Sequence, residues 1–328
     1  MGKSSVLQSL LLLRQSYQVN QLSGLKINGK YLELGNGSDL LAEQAEEEII
    51  EIAVEGDENA RTRFSYSPDS DLLKNQFYPD GISNQSVLFG EHFFYLSAYR
   101  IEPRDLYHIA EEGELRRKEF GNTGEYALHY LNVYGKQPIV NETVVFNSVE
   151  KPDLEQQTEQ WMSLIAPGIL PQVFVNPGLR TAELKFSFRQ GKEKTNTYKS
   201  VNVGFGITYV LPVVISLLSA GPGDLLLLEN PEAHIHPAGQ RWLGELIARA
   251  SAGGVQILLE THSDHVLNGI RLAVKKKYLD CGKAGVFFFY KDEYKHKVIC
   301  PAFDPEGNLD VWPEGFLDEW DRALLELL

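Results

Sequence analysis

Two short apolar runs, residues 224–229 (DLLLLE) and 255–260 (VQILLE), constrain this chain more than any other feature. Each is too short for a helix, is apolar along most of its length rather than alternating, and ends on a glutamate. A strand with that composition is covered on both faces, which is the situation of a parallel sheet held between helical layers. Residues 240–250 between the two runs predict a helix, so the order is strand, helix, strand, and the fold class is α/β. A third apolar run, 285–290 (GVFFFY), follows later in the chain.

The rest of the chain is more varied. Residues 4–18 predict a helix with Val6, Leu7, Leu10, Leu11 and Leu13 facing a core. Residues 25–37 (LKINGKYLELGNG) predict a hairpin around the turn-forming pair Asn28-Gly29. Ile49, Ile50, Ile52 and Val54 predict a strand within an acidic run, and Glu43, Glu46, Glu47, Glu48 and Glu51 read as its solvated face. Residues 67–85 read as loop, 92–98 as a buried aromatic strand, and 105–165 as largely helical with turns near 121–124 and 135–138. Two strands are expected in 172–200, a helix over 210–218 after a glycine-rich entry, and an amphipathic helix at the end of 308–328.

Composition excludes several classes. The length of 328 residues fits two domains, or one with a large insertion. There are 31 Lys+Arg against 45 Asp+Glu, a formal net charge of −14. That argues against a generally basic nucleic-acid coat and leaves room for local patches at Lys275-Lys276-Lys277 and at Arg189, Lys192, Lys194 and Lys199. Cys281 and Cys300 are the two cysteines, too few for a disulfide scaffold or a four-cysteine zinc site. The early apolar run 10–13 is too short to span a membrane, and no cleavage site follows it. A cytoplasmic location is therefore expected.

Four elements carry chemistry. Gly2-Lys3-Ser4, followed by Ser5 and a helix, is the downstream half of a phosphate-binding loop, G-x-x-x-x-G-K-[ST]. In such a loop backbone N–H groups and the helix N-terminus bind phosphate, Lys pairs with the β/γ oxygens and Ser holds Mg²⁺. Residues 225–232 (LLLLENPE) have the form of a Walker B strand, which delivers a carboxylate, Glu229, to Mg²⁺ beside the phosphates. Glu260-Thr261-His262-Ser263 ends the next strand, where a histidine can reach a terminal phosphate and order the attacking water. Val203-Gly204-Phe205-Gly206 opens a helix whose N–H groups can face an anion.

In that order these elements resemble the ABC-type ATPase heads of the SMC/RecF/OLD group. They are similar above all to bacterial AAA-type ATPases with a C-terminal domain of unknown function. The run Glu229-Asn230-Pro231-Glu232-Ala233-His234-Ile235-His236-Pro237, the run Glu260-Thr261-His262-Ser263-Asp264-His265 and the tail Trp312-Pro313-Glu314-Gly315-Phe316 carry the likeness. It implies a P-loop head with an inserted antiparallel β lobe and a helical segment. The expected parts are a P-loop remnant with its helix (1–23), a β lobe (24–85), and a central strand with helical insertion and return strands (86–200). A signature, Walker B and switch-histidine core (201–270) and a C-terminal cap (271–328) complete the division.

The resemblance also implies roles. Lys3 binds β/γ phosphate, with Gly2 and Ser5 in the same loop. Ser4 ligates Mg²⁺, Glu229 holds it through water, and His262 is the switch histidine. Gly204 and Gly206 belong to a signature element that contacts the nucleotide of an opposite head. ATP and Mg²⁺ are the implied cofactors, and a homodimer through nucleotide-bound heads is the implied partner. DNA transactions, or phage defence with an effector or nuclease in trans, are the settings in which such proteins work.

The sequence departs from the pattern in four places. It begins inside the phosphate loop, so the expectation is a chain truncated at its start. Asn230 stands where many heads have the catalytic glutamate, and an amide can orient water but not take its proton; Glu232 is the candidate substitute. Val203 replaces the signature serine. The residues after His262 show no spaced acidic set for two metals, so no built-in nuclease is expected. Two rival readings follow: a non-hydrolysing nucleotide-gated scaffold, and a metal hydrolase using His234, His236, His262 and His265.

Overall fold

The computed structural model describes residues 2–43, 45–55, 60–76, 86–116, 119–146, 152–191, 193–292 and 295–327. It divides into two compact units, Met1–Phe93 and Phe94–Leu328. Segments 1–23 and 24–85 fall in the first, and 86–200 crosses the boundary. Lys192 of the expected basic stretch, and residues 77–85 of the expected loop, lie outside the described residues.

In the first unit the opening helix, Lys3–Asn20, buries Leu7, Leu11, Leu12 and Leu13. Val6, expected to face the core, is instead exposed. Arg14 is buried from the same helix because its guanidinium is fully used: it donates to the carbonyls of Leu88 (2.5 Å) and Gly90 (3.0 Å) and lies 4.0 Å from the Phe93 ring. Buried cations persist only with such partners.

The chain does turn at Asn28-Gly29, where the Gly29 N–H reaches the Leu32 carbonyl at 2.7 Å. The expected hairpin does not continue beyond an isolated bridge between Asn28 and Glu33. The strand Gly24–Lys26 pairs antiparallel with Leu72–Lys74 instead, in a segment read as loop. Leu25 faces Leu73 in that register and both are fully buried, so burial of an apolar pair overrides the local turn signal. The strand Ile49–Val54 forms as expected and pairs with Ala60–Ser65. Its acidic face is braced rather than only solvated, since Glu51 meets Arg61 and Arg63, and Glu47 meets Arg63.

The second unit holds the two apolar runs as neighbouring parallel strands, Leu225–Glu229 and Gln256–Glu260, with Glu229 beside Glu260. The strand Phe93–Leu96, whose last three residues belong to this unit, lies on the other side of Leu225–Glu229. Leu225, Leu226, Leu227 and Leu228 are all buried, each contributing about 2 kcal/mol of hydrophobic stabilisation. Helices Phe205–Ser219, Pro237–Ala252 and Asp264–Lys275 form here. An antiparallel sheet built on Ile169–Asn176 and Thr181–Gln190 buries Leu184 and Phe186 in one core with Trp161 and Met162 of helix Leu154–Ile165.

The third apolar run does not join these parallel strands. Phe288–Asp292 pairs antiparallel with Lys295–Ile299 in a separate two-stranded sheet. Its residues are half-buried or exposed, so the double-sided cover that makes parallel strands apolar throughout is missing. The chain then reaches the amphipathic helix Glu319–Leu327. No helix among the described residues is long and apolar enough to cross a membrane.

Candidate functional site

In the first unit, Gly2 takes a left-handed conformation (φ 104°) and starts the opening helix with no side-chain cap. A helix start led in by glycine, with the helix dipole behind it, suits an anion. Lys3 is half-buried there, and Ser4 and Ser5 are exposed.

The second unit gathers Glu229, Asn230, Glu232 and His262 where its two parallel strands end. The Glu229 carboxylate accepts the Ala98 N–H (3.0 Å) and the Tyr95 hydroxyl (3.2 Å). Burial pushes its carboxyl above the usual range; those two bonds oppose the shift and neighbouring Glu260 adds to it. Burial, and then Glu229, likewise push the Tyr95 hydroxyl up, so Tyr95 stays a donor at neutral pH.

Asn230 has φ 40°. Left-handed backbone is costly for most side chains and tolerated by asparagine, and the following Pro231 disfavours the right-handed helical alternative. An asparagine at this position thus has a backbone reason to be there. Its Oδ1 is buried and has no hydrogen-bond partner among the described residues. Glu232 is 8% exposed. One of its oxygens accepts the His262 N–H at 2.9 Å, and the other is buried with no hydrogen-bond partner among the described residues. The His262 side chain is exposed at the strand end.

Arg100 holds this corner together, and sequence reasoning missed it. It is 4% exposed and donates to the carbonyls of Glu229 (2.7 Å), Asn230 (2.5 Å), Ser97 (3.0 Å) and Tyr209 (3.1 Å). Burial pushes its guanidinium down to about 10, opposed by Tyr209, Glu232 and Glu229, so it remains charged at neutral pH. The available signal was a cluster of polar residues, Tyr95 to Arg100, just past a buried strand. Gln240 was also missed: it donates to the Ile235 carbonyl (2.8 Å) and accepts from the Ser263 hydroxyl (2.5 Å), tying the turn after Glu229 to the end of the histidine strand.

The two glycines expected in a signature element differ. Gly204 is exposed at the start of helix Phe205–Ser219, which has no side-chain cap. Gly206 is buried, and a Cβ there would lie 1.9 Å from the His234 carbonyl oxygen. Close packing therefore requires a glycine at this position.

The metal reading built on four histidines finds no support in their surroundings. His236 caps helix Pro237–Ala252, its Nδ1 accepting the Ala238 N–H. His234 packs edge-on to Phe205 and Tyr209, and His265 lies against Asp264. Among the described residues no group of three or more His, Cys, Asp or Glu could hold a metal ion. A single strand-end carboxylate does fit Mg²⁺, which keeps several waters and takes its other ligands from phosphates. The basic clusters are partly neutralised, Lys199 by Asp105, Lys275 by Glu306 and Lys276 by Glu245.

A family profile described as "AAA domain, putative AbiEii toxin, Type IV TA system" matches residues 1–268. A second, "Protein of unknown function (DUF3696)", matches residues 279–327. Among solved structures, the Smc head bound to the C-winged helix domain of ScpA matches with a TM-score of 0.51 at 14% identity, over 92% of this chain and 87% of that one. The SMC head domain from Thermotoga maritima matches at 0.41 and 11% identity, over 91% and 85%. A structure from work on ATP-driven dimerization and DNA-stimulated activation of SMC ATPases matches at 0.35 and 13% identity, over 53% and 90%. No curated protein matches the chain. At these identities the likeness to the ScpA-bound head is one of fold, that of an ABC-type P-loop ATPase head.

Proposed function

Since the chain belongs to the AAA-domain family that its residues 1–268 match, we propose that it is a nucleotide-binding ATPase that hydrolyses ATP slowly and uses nucleotide-dependent dimerisation of heads to switch an assembly. The observation that carries this reading is Glu232. One carboxylate oxygen is fixed by the His262 N–H while the other is buried without a hydrogen-bond partner among the described residues. A desolvated acceptor held in one orientation is suited to take or direct a proton of attacking water.

The roles divide between the units. In the first, Gly2, Lys3, Ser4 and Ser5 bind phosphate at an uncapped helix start, with Lys3 on the β/γ oxygens. In the second, Glu232 polarises the water, the Asn230 Oδ1 orients it as a second acceptor, and His262 faces the terminal phosphate. Each unit offers a candidate Mg²⁺ ligand, the Ser4 hydroxyl in the first and the Glu229 carboxylate, through water, in the second; the ion would supply charge neutralisation for the transferred phosphoryl group. Pre-organised charge does most of the work, since phosphoryl transfer needs mainly positioning and electrostatics. Gly204 offers an exposed helix start to the nucleotide of a second head. DNA transactions, or phage defence with a partner effector in trans, are the settings the family likeness suggests.

Replacing Glu232 by Gln tests the assignment. Single-turnover phosphate release is expected to fall about 100-fold while ATP affinity stays within about threefold. Unchanged release removes Glu232 from the mechanism. Lys3→Ala is expected to abolish ATP binding. A second reading, the nucleotide-gated scaffold, is favoured by the amide at Asn230. It predicts bound ATP with no phosphate released over hours by the unaltered chain.

A further inference from the structure

Helix Leu154–Ile165 gives one side to the core and the other to a cavity. Trp161, Met162 and Ile165 are buried among the residues of the main core. Glu159 and Ser163, and Gln160 and Leu164, are each four positions apart, so these four share the other side of the helix. They form one wall of a cavity of about 390 Å³, completed by Phe146 and by Arg189 of strand Thr181–Gln190. That volume falls within the roughly 300–1,000 Å³ of small-molecule sites.

The backbone around the cavity is held from behind. Gln157, fully buried, accepts the Phe146 N–H at 2.7 Å and donates to the Phe146 carbonyl at 3.3 Å. The Phe146 ring meets Trp161 and Trp242 edge-on, and the Trp161 Nε1–H donates to the Val144 carbonyl at 2.8 Å. The Arg189 N–H donates to the Gly168 carbonyl at 2.7 Å. The walls are therefore in place before anything binds, which lowers the ordering cost of a ligand.

The lining has unused hydrogen-bonding capacity of both signs. The Gln160 Oε1 is buried with no hydrogen-bond partner among the described residues. The Glu159 carboxylate and the Arg189 guanidinium make no hydrogen bond or ion pair among the described residues. Burial pushes the Glu159 carboxyl above the usual carboxylate range, against the pull of Lys194 and Arg189, and a bound cation would relieve that cost. A carboxylate and an amide oxygen only accept; a guanidinium only donates. A fitting ligand must therefore donate along the helix wall and accept at the strand wall, with an apolar part for Phe146 and Leu164. A phosphate or other plain anion would set its charge against Glu159 and the Gln160 Oε1. A metal ion would find too few ligands, since no group of three or more His, Cys, Asp or Glu among the described residues could hold one.

We propose that this cavity binds a free α-amino acid with an apolar or aromatic side chain. Glu159 and the Gln160 Oε1 take the ammonium, Arg189 takes the carboxylate with its paired N–H donors, and Phe146 and Leu164 receive the side chain. Ser163, both donor and acceptor, can serve either end. The proposal does not rest on the ATPase reading, because none of these residues belongs to that site.

The experiment is calorimetric titration of the full chain with L-phenylalanine and L-leucine, then with N-acetyl-L-phenylalanine and L-phenylalaninamide, each of which lacks one charged end. The unaltered chain is expected to bind one equivalent of at least one of the two amino acids, and the derivatives about tenfold or more weakly than L-phenylalanine. Arg189→Ala is expected to weaken amino-acid binding about 30-fold and to leave the affinity for L-phenylalaninamide within about twofold, because the group it would pair with is already gone. Glu159→Gln is expected to cost about tenfold and to leave N-acetyl-L-phenylalanine within about twofold. Thermal midpoints of both variants should match the unaltered chain. No binding of either amino acid by the unaltered chain up to about 10 mM overturns the proposal. Variants that bind as tightly as the unaltered chain overturn it too, since the ligand then sits elsewhere. If a variant has a lowered midpoint, the derivatives decide on the unaltered chain: affinities equal to that of the parent amino acid overturn the proposal, and loss at both ends supports it.

Discussion

Each unit contains a helix that starts after a glycine without a side-chain cap, and the two starts are built differently. At Gly2 the glycine supplies a left-handed turn into helix Lys3–Asn20, and Ser4 and Ser5 stand exposed behind it. At Gly204 the backbone is ordinary (φ −52°), and the demanding glycine is Gly206, pressed against the His234 carbonyl. The same residue type therefore serves conformation in one start and close packing in the other. Two glycines near a helix start do not by themselves distinguish an anion site from a packing contact.

Glycine-to-alanine changes separate the two roles. The largest effect is expected from Gly206→Ala, where the new Cβ would overlap the His234 carbonyl. A loss of about 3 kcal/mol should appear in urea unfolding, and hydrolysis should fall with it. A stability change below the resolution of that measurement would break the comparison. Gly2→Ala comes next. Its left-handed backbone costs about 1–2 kcal/mol in any residue with a Cβ. The expected readout is weaker ATP binding by calorimetry, with the rest of the chain stable.

His236→Ala adds a third helix start to the series, one that is capped. Loss of the bond to the Ala238 N–H should lower stability by about 1 kcal/mol, seen as a lower denaturation midpoint at constant slope. The smallest stability effect belongs to Gly204→Ala. A Cβ there meets only Ile207 Cδ1 at 3.9 Å, so the change should stay within about 0.5 kcal/mol. What it should alter is ATP-dependent self-association, measured by sedimentation. Gly204→Ala with a large stability loss and unchanged association would reverse the assignment of the two glycines.

Much of the architecture was legible from periodicity. The strands Leu225–Glu229 and Gln256–Glu260, the helix between them and the opening helix lie within a few residues of where their apolar patterns put them. The main failure has a physical cause. The ladder from Gly24–Lys26 to Leu72–Lys74 depends on which distant strand offers apolar cover. Local turn chemistry carries no information about that partner. At the candidate site, residue types at strand ends pointed to Glu229, Glu232 and His262. Nothing in the spacing pointed to Arg100.

The sequence by itself determined which segments become strands and helices, and which acids and histidine stand at strand ends. Side-chain period and end position are properties of neighbours a few residues apart. Only the tertiary structure decided that Asn230 is left-handed, that Gly206 is a packing glycine, and that one oxygen of Glu232 is held while the other is orphaned. It alone brought Arg100 to the carbonyls of Glu229 and Asn230, 129 and 130 residues along the chain. Backbone carbonyls are identical at every position. Which of them a buried guanidinium meets is set by packing, and packing is written across the whole chain rather than in any one stretch of it.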